Sequence, residues 1–498
     1  MDFDKIKKII KKYHWWSEDC PGRWQYCYWI NSAVEQKKYF HPRYLSACFV
    51  VFKNGYLYEK TSEEEKIKIY YWLKNKFRQD PNYIKKEHVK WLAVRKKLFV
   101  QIDIVIREAA QWDKMKLLQN YNKLLAIATD SVCWGFFLEC IDPYNVNILP
   151  NKVAHELLQS DSAERNDVMI ELSTPPVISF MEQYRVDSAR LVFKYRKLLN
   201  SHRFYQAKDF SNFVNKYSCL SVNYGGSDPF VVKDFIKQFK ELAAEYSDVQ
   251  LRKEIGLIVR KPQKIRQQQK ILYRKYDFSR DLADDFIIMR QIGAWIDERK
   301  ESMVKTSLAV WTILNHIAHL TGASKNQLEF FTEKEINFLL KQNKKVSSTI
   351  IKERSKNSVF MVTARRGKKA DLKIFTKQPA TVLSNLLNHI ESKELVGMVA
   401  SGRSGIFRGR AQIIIDATKD KFQPGSILVT SMTRPDFVPI IKKASAIVTD
   451  EGGITCHAAI IARELGIPCV IGTRHATKLI KNGDRLEIDL ASGKIKIM

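Results

Sequence analysis

Ala446–Thr473 reads AIVTDEGGITCHAAIIARELGIPCVIGT, and the fold of the C-terminal part of the chain turns on this stretch. Ala446–Val448 is a short apolar run of strand type. Asp450–Gly453 is a turn, where Gly452 and Gly453 can take backbone shapes closed to other residues. Thr455 is placed to cap a helix over Cys456–Leu465, which Gly466 ends and Pro468 prevents from continuing. Cys469–Ile471 then returns as a strand. His457 thus falls in the first turn of the helix, beside the paired glycines. A helix start carries partial positive charge and free N–H groups, which disfavour an imidazolium and welcome phosphoryl oxygens. A neutral ring there is a nucleophile, and the glycines leave room for a bulky donor. Thr455 offers a hydroxyl, and Arg463 offers a cation if it faces the same side. On the residues alone, a surface or capping histidine stays open as the alternative.

The alternation continues outward from this stretch. Ala411–Ile415, Ile427–Val429, Arg485–Ile488 and Lys494–Ile497 are short apolar runs separated by turns, which predicts a compact α/β unit over 405–498. Ser401–Gly405 reads as a flexible joint, and residues 388–404 are taken as a hinge. Residues 176–387 read as a mainly helical central domain. Phe235–Tyr246, Asp281–Ile296 and Met303–Leu320 space their apolar residues three and four apart, and Thr332 with Glu335 makes a capping box. Ser347–Phe375 breaks into short β-prone pieces, and Ala380–Glu394 predicts one more helix. The prolines of STPPVI, Ser173–Ile178, stop any helix and mark the end of a first region, 1–175. That region is aromatic-rich and mixed. Glu63–Phe77 and Lys114–Ala128 read as helices, while Ser46–Tyr56 and Val89–Val105 read as β-like or mixed apolar runs.

GGITCHAAIIARELGIP closely resembles the core of the phosphohistidine (mobile, or swivelling) domain of phosphoenolpyruvate-utilising enzymes. That family includes phosphoenolpyruvate synthase, pyruvate phosphate dikinase and rifampin phosphotransferase. Upstream, LVTSMTRPDFVPIIKKASAIVTDEGG resembles the synthase version, with Thr433, Pro435, Asp436 and Pro439 in matching places. Downstream, Asn482–Gly483–Asp484 and IDLASGKIKI resemble its closing strands. The resemblance implies that His457 is the phosphorylated residue, with Thr455, Gly452, Gly453, Cys456 and Arg463 binding or orienting the phosphoryl group. The expected fold class is therefore multidomain: a mostly helical N-terminal and central region followed by a C-terminal α/β swivelling phosphohistidine domain.

The larger enzymes of the family also carry an ATP-grasp module and, in the synthase and dikinase, a phosphoenolpyruvate-binding barrel. Neither is recognisable in these residues. AWIDERKESMVKTSLAVW (Ala294–Trp311) and LTGASKNQLEFFTEKEINFLL (Leu320–Leu340) are similar to the segment preceding the carrier in rifampin-phosphotransferase-like proteins, whose helical domain binds the acceptor. The resemblance thus implies a phosphotransferase using Mg2+ and ATP, or phosphoenolpyruvate, for which no binding residues are identified. The donor is expected on a separate nucleotide-binding chain or at a diverged site within 1–175, with a small molecule as acceptor.

Composition narrows the alternatives. The chain has 498 residues, and no apolar run approaches the ~20 residues that span a bilayer. Its eight cysteines form no CxxC pair, so neither a zinc module nor a disulfide scaffold is expected. A cytoplasmic protein with no membrane partner is the expectation. His316 and His319 lie three apart, but no carboxylate pattern accompanies them, so no metal site is assigned. With 83 basic against 54 acidic residues, the formal charge is +29 and spread along the chain. No basic-aromatic motif accompanies it, so nucleic acid is not expected as a partner, although a basic nucleic-acid-binding protein remains one alternative function. A non-catalytic binding or regulatory protein that retains the mobile domain is the other.

Overall fold

Helix signals set the body of the molecule. Ser62 caps the helix Glu63–Gln79, Ser179 and Glu182 make a reciprocal capping box for Phe180–Tyr195, and Ser279 caps Arg280–Thr321, which Gly322 ends in a left-handed conformation. The computed structural model describes residues 3–21, 47–132, 134, 138–141, 144, 148–222, 228–363, 371–387, 395–402, 405–415, 417, 420–433, 437–453 and 456–498. Thr455, Pro435, Asp436 and the N-terminal Trp24 and Trp29 lie outside the described residues.

The architecture is the expected one, a mostly helical N-terminal and central region followed by a C-terminal α/β domain. Two of the predicted central helices, Asp281–Ile296 and Met303–Leu320, are parts of the single helix Arg280–Thr321. It buries Phe286, Ile292, Trp295, Ile313 and Ile317 along its length. Val89–Val105 is not β-like: it lies inside the helix Tyr83–Glu108. Ile84, Trp91, Leu98 and Val105 are buried there seven residues apart, and this one-sided burial overrides the β-branched composition. A buried ionic cluster ties three helices together. Asp285, fully buried, accepts from the hydroxyls of Tyr70 and Tyr144 and pairs with Lys74 and Lys152.

Two sheets flank the helices. The first joins β1 (Trp15–Pro21), β2 (Ala47–Lys53), β3 (Tyr56–Ser62), β4 (Asn357–Thr363) and β5 (Asp371–Phe375) in the order β1-β3-β2-β4-β5, with every pairing antiparallel. Residues from both ends of the helical region thus build one layer, so the boundary drawn at 175 does not separate packed units. Phe49, Val51, Val359 and Met361 of this sheet are buried against the helices Phe3–Lys12 and Lys377–Leu387.

The second sheet belongs to the C-terminal domain. It comprises β6 (Leu395–Val396), β7 (Met398–Ser401), β8 (Ile406–Ile413), β9 (Ile427–Thr430), β10 (Ala446–Thr449), β11 (Cys469–Ile471), β12 (Arg485–Asp489) and β13 (Lys494–Ile497). Their order is β6-β13-β12-β8-β9-β10-β11-β7, with β8 to β11 parallel. Strands β6 and β7 fall within 388–404, so the stretch read as a hinge contributes two strands to the domain it was expected to release. Among the described residues no helix is long and apolar enough to cross a membrane.

Candidate functional site

The turn after β10 is fastened before the helix begins. The backbone N–H groups of Asp450 and Glu451 donate to the carbonyls of Thr430 and Ser431, and the Asp450 carboxylate accepts from the Thr477 amide at 3.0 Å and from the Thr473 hydroxyl at 3.4 Å. Gly452 follows with φ +119°, a conformation that side-chain-bearing residues rarely adopt. A Cβ on Gly452 would stand 2.7 Å from the Cys456 Sγ. The Cys456 thiol in turn accepts from the Ala459 amide at 3.4 Å, so Cys456 is the N-cap and the helix runs His457–Leu465. Sequence reasoning gave the cap to Thr455 and the first helical position to Cys456; the sulfur's approach to the amide moves both by one residue. Gly466 ends the helix with φ +66°, as expected.

His457 therefore occupies the first helical position, half-buried. Its Nδ1 lies 2.9 Å from the Thr433 hydroxyl, in the segment after β9. In the tautomer that donates from Nδ1 to Thr433, Nε2 carries the lone pair. Burial is the chief cause that lowers the ring's pKa from 6.5 to about 4, and the cations of Lys300 and Arg185 lower it further. At neutral pH the ring is uncharged and nucleophilic. Both cations come from the helical body, Arg185 from Phe180–Tyr195 and Lys300 from Arg280–Thr321.

His457 opens on a cavity of about 850 Å³ between the C-terminal domain and the helical body. Gly452, Gly453, Cys456 and Arg463 line it with His457, so five of the six expected site residues converge and the sixth, Thr455, is not described. Arg463 shares the cavity with Glu171, and burial lowers its pKa while raising that of Glu171. From the body come the apolar Ile170, Val177, Ile258, Ile265 and Ile296. Most body cations in the wall are paired: Arg185 with Glu254 at 2.8 Å, Lys261 with Glu182, and Arg299 with Glu139. Asp297 also lines the cavity. One of its oxygens accepts from the Phe180 amide at 2.7 Å, and burial raises its pKa, with the nearby Lys300 opposing.

Thr433 was noted only as part of a resembling segment, and Arg185, Lys300 and Asp297 were not singled out at all. Asp297 and Lys300 lie one turn apart on a helix whose inward face also carries Gly293 and Ile296, but nothing in that spacing names the histidine they approach.

The C-terminal domain is docked by contacts on both sides. Arg185 reaches Glu464 of the His457 helix at 3.1 Å, Lys442 reaches Glu245 at 3.0 Å, and Arg474 reaches Glu63 at 3.1 Å. Tyr56 of β3 hydrogen-bonds Ser431, and one hydrophobic cluster runs from the helical body into Leu428, Ile447, Ala458 and Ile471. Among the described residues no group of three or more His, Cys, Asp or Glu side chains is placed to hold a metal ion.

Residues 422–493 match the family described as PEP-utilising enzyme, mobile domain. The chain is 48% identical over 132 residues to a phosphoenolpyruvate synthase of Pyrococcus furiosus, covering 25% of this chain and 16% of that protein. It is 44% identical over 138 residues to a phosphoenolpyruvate synthase of Synechocystis, covering 26% and 17%. A probable phosphoenolpyruvate synthase of Methanothermobacter thermautotrophicus is 46% identical over 122 residues, covering 24% and 18%. The chain thus matches less than a fifth of the length of these relatives. Its C-terminal domain is a mobile domain of the phosphoenolpyruvate-utilising enzyme family.

Proposed function

We propose that the chain is a phosphotransferase component in which His457 carries a phosphoryl group from a donor to an acceptor seated in the cavity against the helical body. The observation that carries this reading is a neutral His457 ring, held at Nδ1 by Thr433, opening on a cavity that holds Lys300 and Arg185. In loading, Nε2 attacks the donor phosphorus, the N–P bond forms, and the donor's P–O bond breaks with its electrons on the leaving oxygen. In transfer, the acceptor oxygen attacks phosphorus, and the N–P electron pair returns to the ring. The acceptor proton passes to the Asp297 carboxylate. Lys300 and Arg185 face the charge on the phosphoryl oxygens, where fixed cations in a partly dehydrated cavity stabilise it most. When bound with the donor, Mg2+ would neutralise phosphate charge; the described residues present no ligand cluster for it, and no step is assigned to it. The nucleotide or phosphoenolpyruvate donor, a partner chain that supplies it and a cytoplasmic setting belong to the same proposal.

The test is to treat the full chain with labelled ATP, labelled phosphoenolpyruvate and potassium phosphoramidate, a chemical phosphoryl donor. Acid-labile label that His457→Ala abolishes is the expected result with at least the chemical donor. Label that persists in His457→Ala, or none from any donor, refutes the assignment of His457. Label from ATP or phosphoenolpyruvate alone would place a donor site within this chain.

A further inference from the structure

The cavity at His457 departs from the rest of the chain in its charge. Basic residues outnumber acidic ones 83 to 54 overall, yet the described residues that line the cavity include eight carboxylates against six cations. A phosphoryl group on His457 adds to that negative balance, so a small anionic acceptor would enter a space already set against it. Such an acceptor would also leave most of the space unfilled, because about 850 Å³ is near the upper end of what small-molecule sites enclose.

Four of the carboxylates are engaged in the walls. Glu254 and Glu464 hold Arg185, Glu182 holds Lys261, and Glu139 holds Arg299. Glu171, on the helix Ser162–Ser173, belongs to none of these pairs, and among the described residues its carboxylate makes no hydrogen bond and no ion pair. Arg463, Lys261 and Lys264 act on it from farther away. Of these, Lys261 is held by Glu182, Arg463 also faces Asp167, and Lys264 is exposed. Burial outweighs all three and raises the pKa of Glu171, as expected of a carboxylate in a poorly hydrated place with no cation at contact.

The carrier helix sets the distance from this carboxylate to the reacting atom. Lys300 and Arg185 act on His457, whereas Arg463 acts on Glu171, so the two groups occupy separate parts of the cavity. Arg463 stands six residues beyond His457 on one helix, a rise of about 9 Å. The walls also carry Ile460 of that helix and Ile170, Ile258, Ile265 and Ile296 of the body, all aliphatic.

We infer that the acceptor is an aliphatic amino alcohol, whose ammonium pairs with Glu171 while its hydroxyl reaches the phosphoryl group on His457. The inference rests on the carrier reading for the reacting end, though recognition of the amine by Glu171 does not. The hydroxyl oxygen bonds to phosphorus, and the N–P bond breaks with its electron pair returning to the ring. The hydroxyl proton passes to Asp297, and the ammonium takes no part in the chemistry. The isoleucines cover the carbon chain between the two ends.

The test uses three alcohols of one chain length that differ only at the far end: 6-aminohexan-1-ol, hexane-1,6-diol and 6-hydroxyhexanoate. The full chain, labelled at His457 with phosphoramidate, is exposed to each below saturation, and transfer of label to the alcohol is timed. The amino alcohol should discharge the label roughly tenfold faster than the diol, and the hydroxy acid should be slowest. Glu171→Gln, with an unchanged melting temperature, should bring the amino alcohol down to the rate of the diol. Glu241→Gln, at an exposed position outside the cavity lining, should keep the wild-type order. Equal rates for amine and diol in the wild type overturn the inference, as does a wild-type order in Glu171→Gln. Fastest discharge by the hydroxy acid also overturns it, in favour of an anionic acceptor. Calorimetric titration of 6-aminohexan-1-ol into His457→Ala reads the amine site without the carrier, and Glu171→Gln in that background should weaken binding. A chain that labels but shows no preference for the amine refutes this inference alone. One that binds the amine through Glu171 but never labels refutes the carrier reading alone.

Discussion

The sharpest consequence of the site is that His457 stays neutral far below the pH at which an ordinary histidine charges. Burial, with Lys300 and Arg185 beside it, lowers its pKa from 6.5 to about 4. Between those values the unfolded chain binds a proton that the folded chain refuses. Stability from this ring is therefore intact above pH 6.5 and is lost progressively as pH falls, reaching about 3 kcal/mol by pH 4. The same lowering keeps the nucleophile available, so loading by phosphoramidate, corrected for the reagent's own protonation, should stay level from pH 8 to about pH 5. A free imidazole would lose half its nucleophile at 6.5. The ring's titration is read by NMR of histidine-labelled protein, with His457→Ala assigning the signal. Lys300→Met should raise the pKa without restoring 6.5, because burial is the larger cause. A wild-type ring that titrates near 6.5 and ignores Lys300→Met would refute the argument, since neither burial nor the body's cations would then act on it.

Gly452→Ala should abolish or strongly slow loading of His457, because the new Cβ meets the Cys456 thiol at 2.7 Å in a conformation strained for alanine; Gly405→Ala, also at positive φ but with open space around it, separates backbone strain from the clash when loading and melting are measured together. Asp285→Ala removes the anion shared by Lys74 and Lys152 and leaves a buried ammonium under-compensated, at a cost of about 3–5 kcal/mol in chemical denaturation. Unchanged stability would show that the cluster is solvated. Asp297→Asn, loaded by phosphoramidate, should transfer to water or ethylene glycol roughly 100-fold more slowly, while fluoride, which has no proton to lose, attacks at the wild-type rate; equal slowing of both would make Asp297 a structural cap for Phe180 only.

What could be read in the sequence was whatever depends on near neighbours. The Gly-Gly turn, the Gly466 stop and the strands on either side are all fixed within a few residues and stand where expected, and the helix starts one residue later than expected, at His457. The Thr332–Glu335 cap is local in the same way. Val89–Val105 was misread because a dense run of Val, Ile and Leu fits a strand or a buried helix equally, and only the helix Arg280–Thr321 packed against it decides. The pairing of β2 with β4 joins Ala47–Lys53 to Asn357–Thr363, a separation that periodicity does not reach. The site divides along the same line: its carrier half is one contiguous segment, whereas Arg185, Asp297 and Lys300 approach His457 only through packing.

On the proposed carrier function the domain must leave its dock, and the contacts seen here are suited to that. The ion pairs to Glu464, Glu245 and Glu63 that span the interface each involve at least one substantially exposed side chain, and such pairs contribute about 0–1 kcal/mol each. The apolar seam supplies the rest, and a tethered domain needs little, because the tether keeps its local concentration high. Loading changes the balance in one direction. A phosphoryl group on His457 brings negative charge opposite Lys300 and Arg185, so the loaded carrier should dock more tightly at the acceptor cavity than the empty one. Transfer removes that charge and leaves a neutral ring between two cations, which weakens the dock once the acceptor has been served. In the proposed cycle the low pKa of His457 has a part: a ring that regained a proton after transfer would face those cations as a third positive charge, whereas a ring that stays neutral returns to the donor ready to attack.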